Sequence, residues 1–200
     1  MSEENEFKDF NDESHDNYTV AAKKTLAEYQ NLDAEDESLA KWKENLGLGS
    51  DLLPLEFPGD TRRVVILKIQ LIINTEKEPI TFDLTNEQTL KELASKRHKI
   101  KEKSIYKLKI IFKVQHEIIT GLRYVQYIKK AGIAVDKIDD HLGSYAPNTQ
   151  KKPYYEVDLP ESEAPSGFLA RGGYSAVSKF IDDDKTNHLT LNWGVEIVKK

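Results

Sequence analysis

From His188 to Val198 the chain alternates with a period of two, and no other stretch narrows the possible folds as sharply. Leu189, Leu191, Trp193, Val195 and Ile197 point one way, while Thr190, Asn192, Gly194, Glu196 and Val198 point the other. Such alternation marks a strand with one buried face. The preceding run, Tyr174 to Ile181, alternates more weakly, and Asp182-Asp183-Asp184-Lys185-Thr186-Asn187 supplies a polar turn between the two. A tryptophan within an aliphatic face is a large apolar group that needs a cavity or a thick core. The expectation is a face that lines a pocket between two sheets.

Other strands follow a linker, Gly47 to Asp60, which is marked by glycines and two prolines. Val65, Leu67, Ile69, Leu71 and Ile73 share a face, with Lys68 and Gln70 opposite. Ile80, Phe82 and Leu84 alternate with Thr81 and Asp83; Tyr106, Leu108, Ile110, Phe112 and Val114 alternate with Lys107, Lys109, Ile111 and Lys113. Thr120 to Lys129 reads as a strand mixed on both faces, and Thr89 to Lys101 as a brief helix or a basic loop. Ala146 to Gly167, with four prolines and no alternation, reads as a long irregular connection carrying Glu156, Asp158, Glu161 and Glu163. Those acids fit either a solvated loop or a functional one. Short strands, turn-rich loops and few helices define an all-β chain, an antiparallel β-sandwich over residues 51–200.

Charge separates the two ends. Residues 1–50 carry 13 acidic and 5 basic side chains, a net of −8, and residues 51–200 carry 21 and 24, a net of +3. This distribution argues against a nucleic-acid binder, which shows a basic stripe, and favours a partner with positive charge. Met1 to Val20 is polar, with seven acids, and is expected to be disordered alone. Thr25 and Glu28 have the spacing of a capping box, Asp33 is placed to cap a second short helix, and Gly47 to end it. Leu39, Trp42 and Leu46 form one narrow apolar stripe on that second helix. Two such helices are marginal alone, so the arm, residues 1–50, docks either on its own domain or on a partner. With no cysteine, no basic-then-apolar leader and no apolar run of membrane-spanning length, the chain is expected to be a soluble cytoplasmic protein.

Catalytic patterns are missing from the sequence. The five histidines show no metal-ligand spacing with each other; Asp182, Asp184 and His188 are accounted for by a polar turn with fewer assumptions than by a cation site. Arg171-Gly172-Gly173 lacks the spacing of a phosphate loop, and no Gly-x-Ser-x-Gly elbow occurs. The carboxylates avoid apolar runs that would tune them for acid–base work. An enzyme is disfavoured, and neither a cofactor nor a metal is expected.

Five runs carry a resemblance to a known family: LDAEDESLAKWK (Leu32 to Lys43), GLRYVQ (Gly121 to Gln126), VDKIDDHLGSYAP (Val135 to Pro147), EAPSGFLARGGYS (Glu163 to Ser175) and FIDDDKTNHLTLNWGVEIVKK (Phe180 to Lys200). In these residues the chain resembles the Rho guanine nucleotide dissociation inhibitors, cytosolic chaperones of prenylated Rho-type GTPases, in a fungal-type form. The resemblance implies an immunoglobulin-like β-sandwich preceded by a flexible regulatory arm. It departs at Leu191, where a second tryptophan is usual, and at Trp42, where a tyrosine is usual.

As partners the resemblance implies prenylated Rho-family small GTPases, preferably GDP-bound, together with their isoprenoid tail, and neither nucleic acid nor stable membrane insertion. A geranylgeranyl tail would enter between the sheets, with Leu71, Ile100, Ile110, Phe112, Ile118, Leu122, Tyr145, Ala176 and Trp193 as pocket candidates taken from the inward faces. Ordinary core packing accounts for the same residues. Tyr18, Asp36, Ser38 and Trp42 of the arm would lie against the GTPase switch loops, and Asp184 would pair with a basic group of the partner. Closing those loops would slow GDP release, and the tail's capture would extract the GTPase from membranes. Glu156, Asp158, Glu161 and Glu163 would attract the polybasic segment that precedes a prenylated cysteine. A lipid-binding sandwich that ignores switch loops and a metal enzyme built on the Asp182–His188 turn are the readings from other classes.

Overall fold

The period-two runs become strands that pair into two five-stranded sheets in the computed structural model, which describes residues 52–200. The expected arm, residues 1–50, lies outside the described residues, and with it Tyr18, Asp36, Ser38 and Trp42. One sheet runs β2 (Ile80–Asp83), β1 (Val64–Ile73), β4 (Ile105–Val114), β7 (Tyr155–Asp158), with β8 (Ser162–Glu163) also paired to β4. The other runs β3 (His98–Lys101), β10 (Asn187–Val198), β9 (Gly172–Ile181), β5 (Ile119–Lys130), β6 (Ile133–Tyr145). All pairs are antiparallel except β3 with β10. That parallel pair arises because α1 (Glu87–Ser95) carries the chain from β2 in one sheet to the edge of the other. Asn86 caps the helix by accepting from the Gln88 amide at 2.8 Å, and Leu93 is buried beneath it.

Several local expectations need correction. Thr89 to Lys101 holds the expected brief helix, most of α1, but then continues into β3. Ala146 to Gly167 contains two short strands, because β7 and β8 complete the hydrogen bonding of β4's second edge. In β1 the expected face of Val65, Leu67, Ile69, Leu71 and Ile73 breaks at a bulge: the register shifts between Ile66 and Lys68. The extra residue reverses the alternation, so Val64 and Ile66 face the core before it and Ile69, Leu71 and Ile73 after it. Leu67 is left only half-buried, and its carbonyl accepts from the Leu84 amide at 2.8 Å. The long β6 has no counterpart in the sequence reading. It is an exposed edge strand whose residues alternate weakly, joined to β5 by the two-residue turn Ala131-Gly132, both at positive φ (50° and 82°). Positive φ at both central residues matches the twist of a tight hairpin.

The sheets meet closely along only part of their length. Tyr124, Phe112 and Phe180 are the largest fully buried side chains, with Leu122, Ile110 and Ile119 among them. Tyr124 pairs with Phe180 across β5–β9, and their rings stack edge-on with centroids 5.3 Å apart. Phe112 meets Tyr155 of the neighbouring β7 at 5.6 Å and, across to the other sheet, Tyr145 at 4.9 Å. Residues further along the same strands, from Tyr106 to Leu108, Gln126 to Ile128 and Trp193 to Ile197, border open space instead. A sandwich closed in one half and open in the other follows. Phe112→Ala should therefore destabilise the fold by about 3–5 kcal/mol, measured by urea unfolding; a loss under about 1 kcal/mol would show that Phe112 does not clamp the sheets.

Candidate functional site

Where the sheets part, a cavity of about 570 Å³ remains, within the range of roughly 300–1,000 Å³ typical of small-molecule pockets. Leu108 of β4, Ile128 of β5, Ile138 of β6, Ala176 of β9, and Trp193, Val195 and Ile197 of β10 supply apolar walls, with Ile100 of β3 and Leu159 of the β7–β8 connection. Six strands of the two sheets supply the walls, with Leu159 added by a connection. Trp193 stands 6.4 Å, centroid to centroid, from Phe82, which itself packs edge-on against His98 at 4.8 Å. Burial, and secondarily the charge of Lys96, holds the His98 imidazole below its ordinary pKa, favouring a neutral ring there.

A polar cluster marks the boundary between closed and open halves. The Trp193 indole Nε1 donates to Ser178 Oγ at 2.9 Å, and Ser178 Oγ donates to Gln126 Oε1 at 3.0 Å. The Tyr124 hydroxyl lies 2.8 Å from Ser178 Oγ and also donates to Gln126 Oε1. Burial raises the Tyr124 pKa, so this hydroxyl keeps its proton and its role as donor. Gln126 and Ser178 are buried, and the cluster satisfies them while fixing the plane of the tryptophan that walls the cavity.

Acids gather along one rim. Asp136, Asp139 and Asp140 of β6 and Glu163 of β8 line the cavity together with Lys107 and Lys137. Arg123 Nε donates to Asp139 Oδ1 at 3.0 Å, whereas Asp140 is pushed above its ordinary pKa, first by burial and then by the neighbouring Asp139 charge. Between the cavity-lining Pro165 and Tyr174, the chain is braced by Glu102: Arg171 donates to it through Nε at 3.1 Å and Nη2 at 3.0 Å, and the Gly167 amide donates at 3.2 Å.

The expected pocket residues divide between the two halves. Ile100, Ala176 and Trp193 line the cavity. Leu71, Ile110, Phe112 and Leu122 lie outside its lining, each fully buried in the core. Tyr145 is half-buried, stacked on Phe112 and Tyr155, with its hydroxyl donating to the Leu142 carbonyl. Ile118, half-buried ahead of β5, is not in the lining either. Alternation identifies an inward face but not the point along a strand where two sheets separate. Tyr106, Leu108, Val195 and Ile197 were on recognised faces for the same reason; Ile138 and the β6 acids sit on a strand whose only local signal was the Ala131-Gly132 turn.

Of the four loop acids, Glu156 and Asp158 lie on β7, where Lys109 Nζ reaches Glu156 at 3.2 Å and Lys107 Nζ reaches Asp158 at 3.0 Å. Glu161 and Glu163 are exposed, and only Glu163 borders the cavity. Asp184 is exposed in the β9–β10 turn; Arg63 is held above its ordinary pKa chiefly by its hydrogen bond to Glu117, with the Asp184 charge a minor contributor. Beside it Asp182 is committed internally: its carboxylate accepts from His188 Nε2 at 2.9 Å and lies 3.7 Å from Arg63. Burial pushes Asp182 up, but His188, the Thr186 amide and Arg63 together bring it below its ordinary value. Among the described residues, no group of three or more His, Asp or Glu side chains is placed to hold a metal, and no helix is long and apolar enough to cross a membrane.

A sandwich whose open half holds an apolar cavity is the architecture of a binding module. The model of the family described as RHO protein GDP dissociation inhibitor matches residues 2–200, and the chain belongs to that family. It is 81% identical to the Rho GDP-dissociation inhibitor of Saccharomyces cerevisiae, with 100% of each chain covered. To the Rho GDP-dissociation inhibitor of Schizosaccharomyces pombe it is 42% identical, over 90% of this chain and 85% of the relative. To Rho GDP-dissociation inhibitor 1 of Rattus norvegicus it is 38% identical, over 94% and 89%.

Glu102 offers a test of the brace. Arg171, then the Gly167 amide, hold its carboxyl down to about 2 from an ordinary 4.5. A depressed carboxyl contributes fully above its ordinary pKa and loses that contribution as pH falls toward the folded value. The Glu102 carboxyl carbon resonance should therefore titrate near 2, and Glu102→Gln should loosen residues 164–171 at neutral pH. A midpoint at the ordinary 4.5 would mean that the brace is not formed.

Proposed function

We propose that this chain regulates Rho-family GTPases, as the names of its family and relatives state, by sheltering the partner's geranylgeranyl tail in the open half of the sandwich. The observation that carries this reading is the apolar cavity of about 570 Å³ between the sheets, closed at one end by an aromatic clamp. Burying a 20-carbon isoprenoid is worth about 0.8 kcal/mol per CH₂, on the order of 10 kcal/mol or more in total. A bilayer offers nearly the same, so the transfer alone does not drive extraction. Protein–protein contacts present only in the complex must supply the difference.

The arm is the source we propose for those contacts. Tyr18, Asp36, Ser38 and Trp42 engage the switch loops of the GDP-bound GTPase, with Asp36 accepting hydrogen bonds, and Asp184 at the β9–β10 turn meets a basic group of the partner. Loops held in this way open less often, which slows GDP release. Glu161 and Glu163, joined by Asp136 and Asp140 on the cavity rim, draw the cationic segment next to the prenylated cysteine; Glu156 and Asp158 contribute less because Lys109 and Lys107 already offset them. The protein acts as a regulator in the aqueous phase, without a cofactor.

One assay with three proteins tests this. Wild-type chain, Ala176→Trp, which fills the cavity, and a chain lacking residues 1–50 are compared for extraction of geranylgeranylated GTPase from vesicles and for GDP release. Ala176→Trp should lose extraction at least about tenfold, equivalent to 1.4 kcal/mol, with its circular dichroism intact. The shortened chain should bind prenylated peptide but no longer slow GDP release. Normal extraction by a folded Ala176→Trp protein would refute the cavity's role, and normal inhibition by the shortened chain would refute the arm's.

A further inference from the structure

Phe168 and Leu169 are 86% and 85% exposed, more than any other large apolar side chain among the described residues. Their loop is not loose. Lys130 Nζ donates to the Leu169 carbonyl at 2.6 Å and to the Arg171 carbonyl at 2.8 Å, and the Tyr174 hydroxyl donates to the Ala170 carbonyl at 2.6 Å. Glu102 anchors the same loop through Gly167 and Arg171. Polar bonds beneath the loop thus hold two large apolar groups out into water, an arrangement that marks an interaction surface.

The surface is continuous with the cavity mouth. Pro165 and Val135 line the cavity, and Val135 is 52% exposed. Ile133, 70% exposed, starts β6 at the hairpin tip that Lys130 ties to Leu169. Cations lie on the segments that flank the loop. The Lys103 amide donates to the Ala164 carbonyl at 3.0 Å, and the Glu102 amide donates to the Val198 carbonyl at 2.9 Å, which places Lys103 and the C-terminal Lys199 and Lys200 beside the loop. The nearby acids are Glu102, neutralised by Arg171, Asp136, and Glu163 beside Ala164.

We infer that the loop Gly167 to Arg171, with the hairpin tip at Ile133, is a docking surface for an anionic lipid bilayer. Phe168 and Leu169 enter the boundary between headgroups and acyl chains while the flanking lysines meet anionic headgroups. Docked in this way, the cavity mouth faces the leaflet that holds the tail. The inference deepens the proposed function and rests on its assignment of the cavity to an isoprenoid.

The test uses the full chain without GTPase, floated with phosphatidylcholine vesicles that contain phosphatidylserine. Wild-type protein should bind, and Phe168→Ser/Leu169→Ser should bind at least about tenfold less, since two large side chains no longer leave water. The double variant should extract geranylgeranylated GTPase from these vesicles more slowly by a similar factor, while its affinity for a soluble geranylgeranylated peptide stays unchanged. Equal vesicle binding by the two proteins, or none by either, overturns the inference. Peptide affinity or inhibition of GDP release falling in step with extraction also overturns it, because the two side chains would then serve the cavity or the GTPase. Failure of the wild-type protein to bind peptide would instead refute the cavity's assignment, with the vesicle result still deciding the docking surface.

Discussion

Aromatic packing at one end of the sandwich sets the geometry on which everything else depends. Tyr124, Phe180 and Phe112 are fully buried, and the last contacts both Tyr145 and Tyr155. Rings of this size bring the sheets together and hold them at a fixed spacing there. Beyond that point the lining is Leu, Ile, Val and Ala with Tyr106, Tyr174 and Trp193, and the layers no longer fill the gap. The cavity is thus the continuation of a core, lined by the same strands. A rigid clamp at one end lets the other stay open without collapse of the domain.

The boundary between the halves is polar, and that polarity is fully used. Gln126 and Ser178 are buried, and among the described residues no buried side-chain nitrogen or oxygen is without a partner. Linking Trp193 to Ser178, and Ser178 to Gln126 and Tyr124, ties the cavity's largest wall residue to the closed half. A network satisfied in this way specifies one arrangement more strongly than an apolar contact would. Charge is uneven on a larger scale: acids of β6 and Glu163 gather at one rim, and Lys103, tied by its amide to Ala164, flanks the apolar loop at Phe168. One opening therefore presents different chemistry to a cationic peptide and to an anionic surface.

Much of this was legible in the residues, and the failures have physical causes. Strands β4 and β10 follow from strict alternation, because each has one face on the core. In β1 a single extra residue at Leu67 reversed the phase, and nothing in an apolar run such as Val64 to Ile73 announces a bulge. β6 escaped because an exposed edge strand has little need to alternate, and β7 and β8 because their partner β4, not their own residues, makes them strands. Of the pocket candidates, Trp193, Ala176 and Ile100 line the cavity, whereas Ile110, Phe112 and Leu122 are fully buried outside its lining. Side-chain pattern tells which face is apolar; only the spacing of two sheets tells where that face is empty.

The account stands or falls on whether an isoprenoid meets Trp193. The chain has two tryptophans, so in a Trp42→Phe background the emission of Trp193 reports the cavity alone. Titration with a geranylgeranylated peptide should shift that emission to the blue and saturate at one peptide per protein. Peptide binding that leaves the Trp193 emission untouched would place the lipid elsewhere and contradict the account.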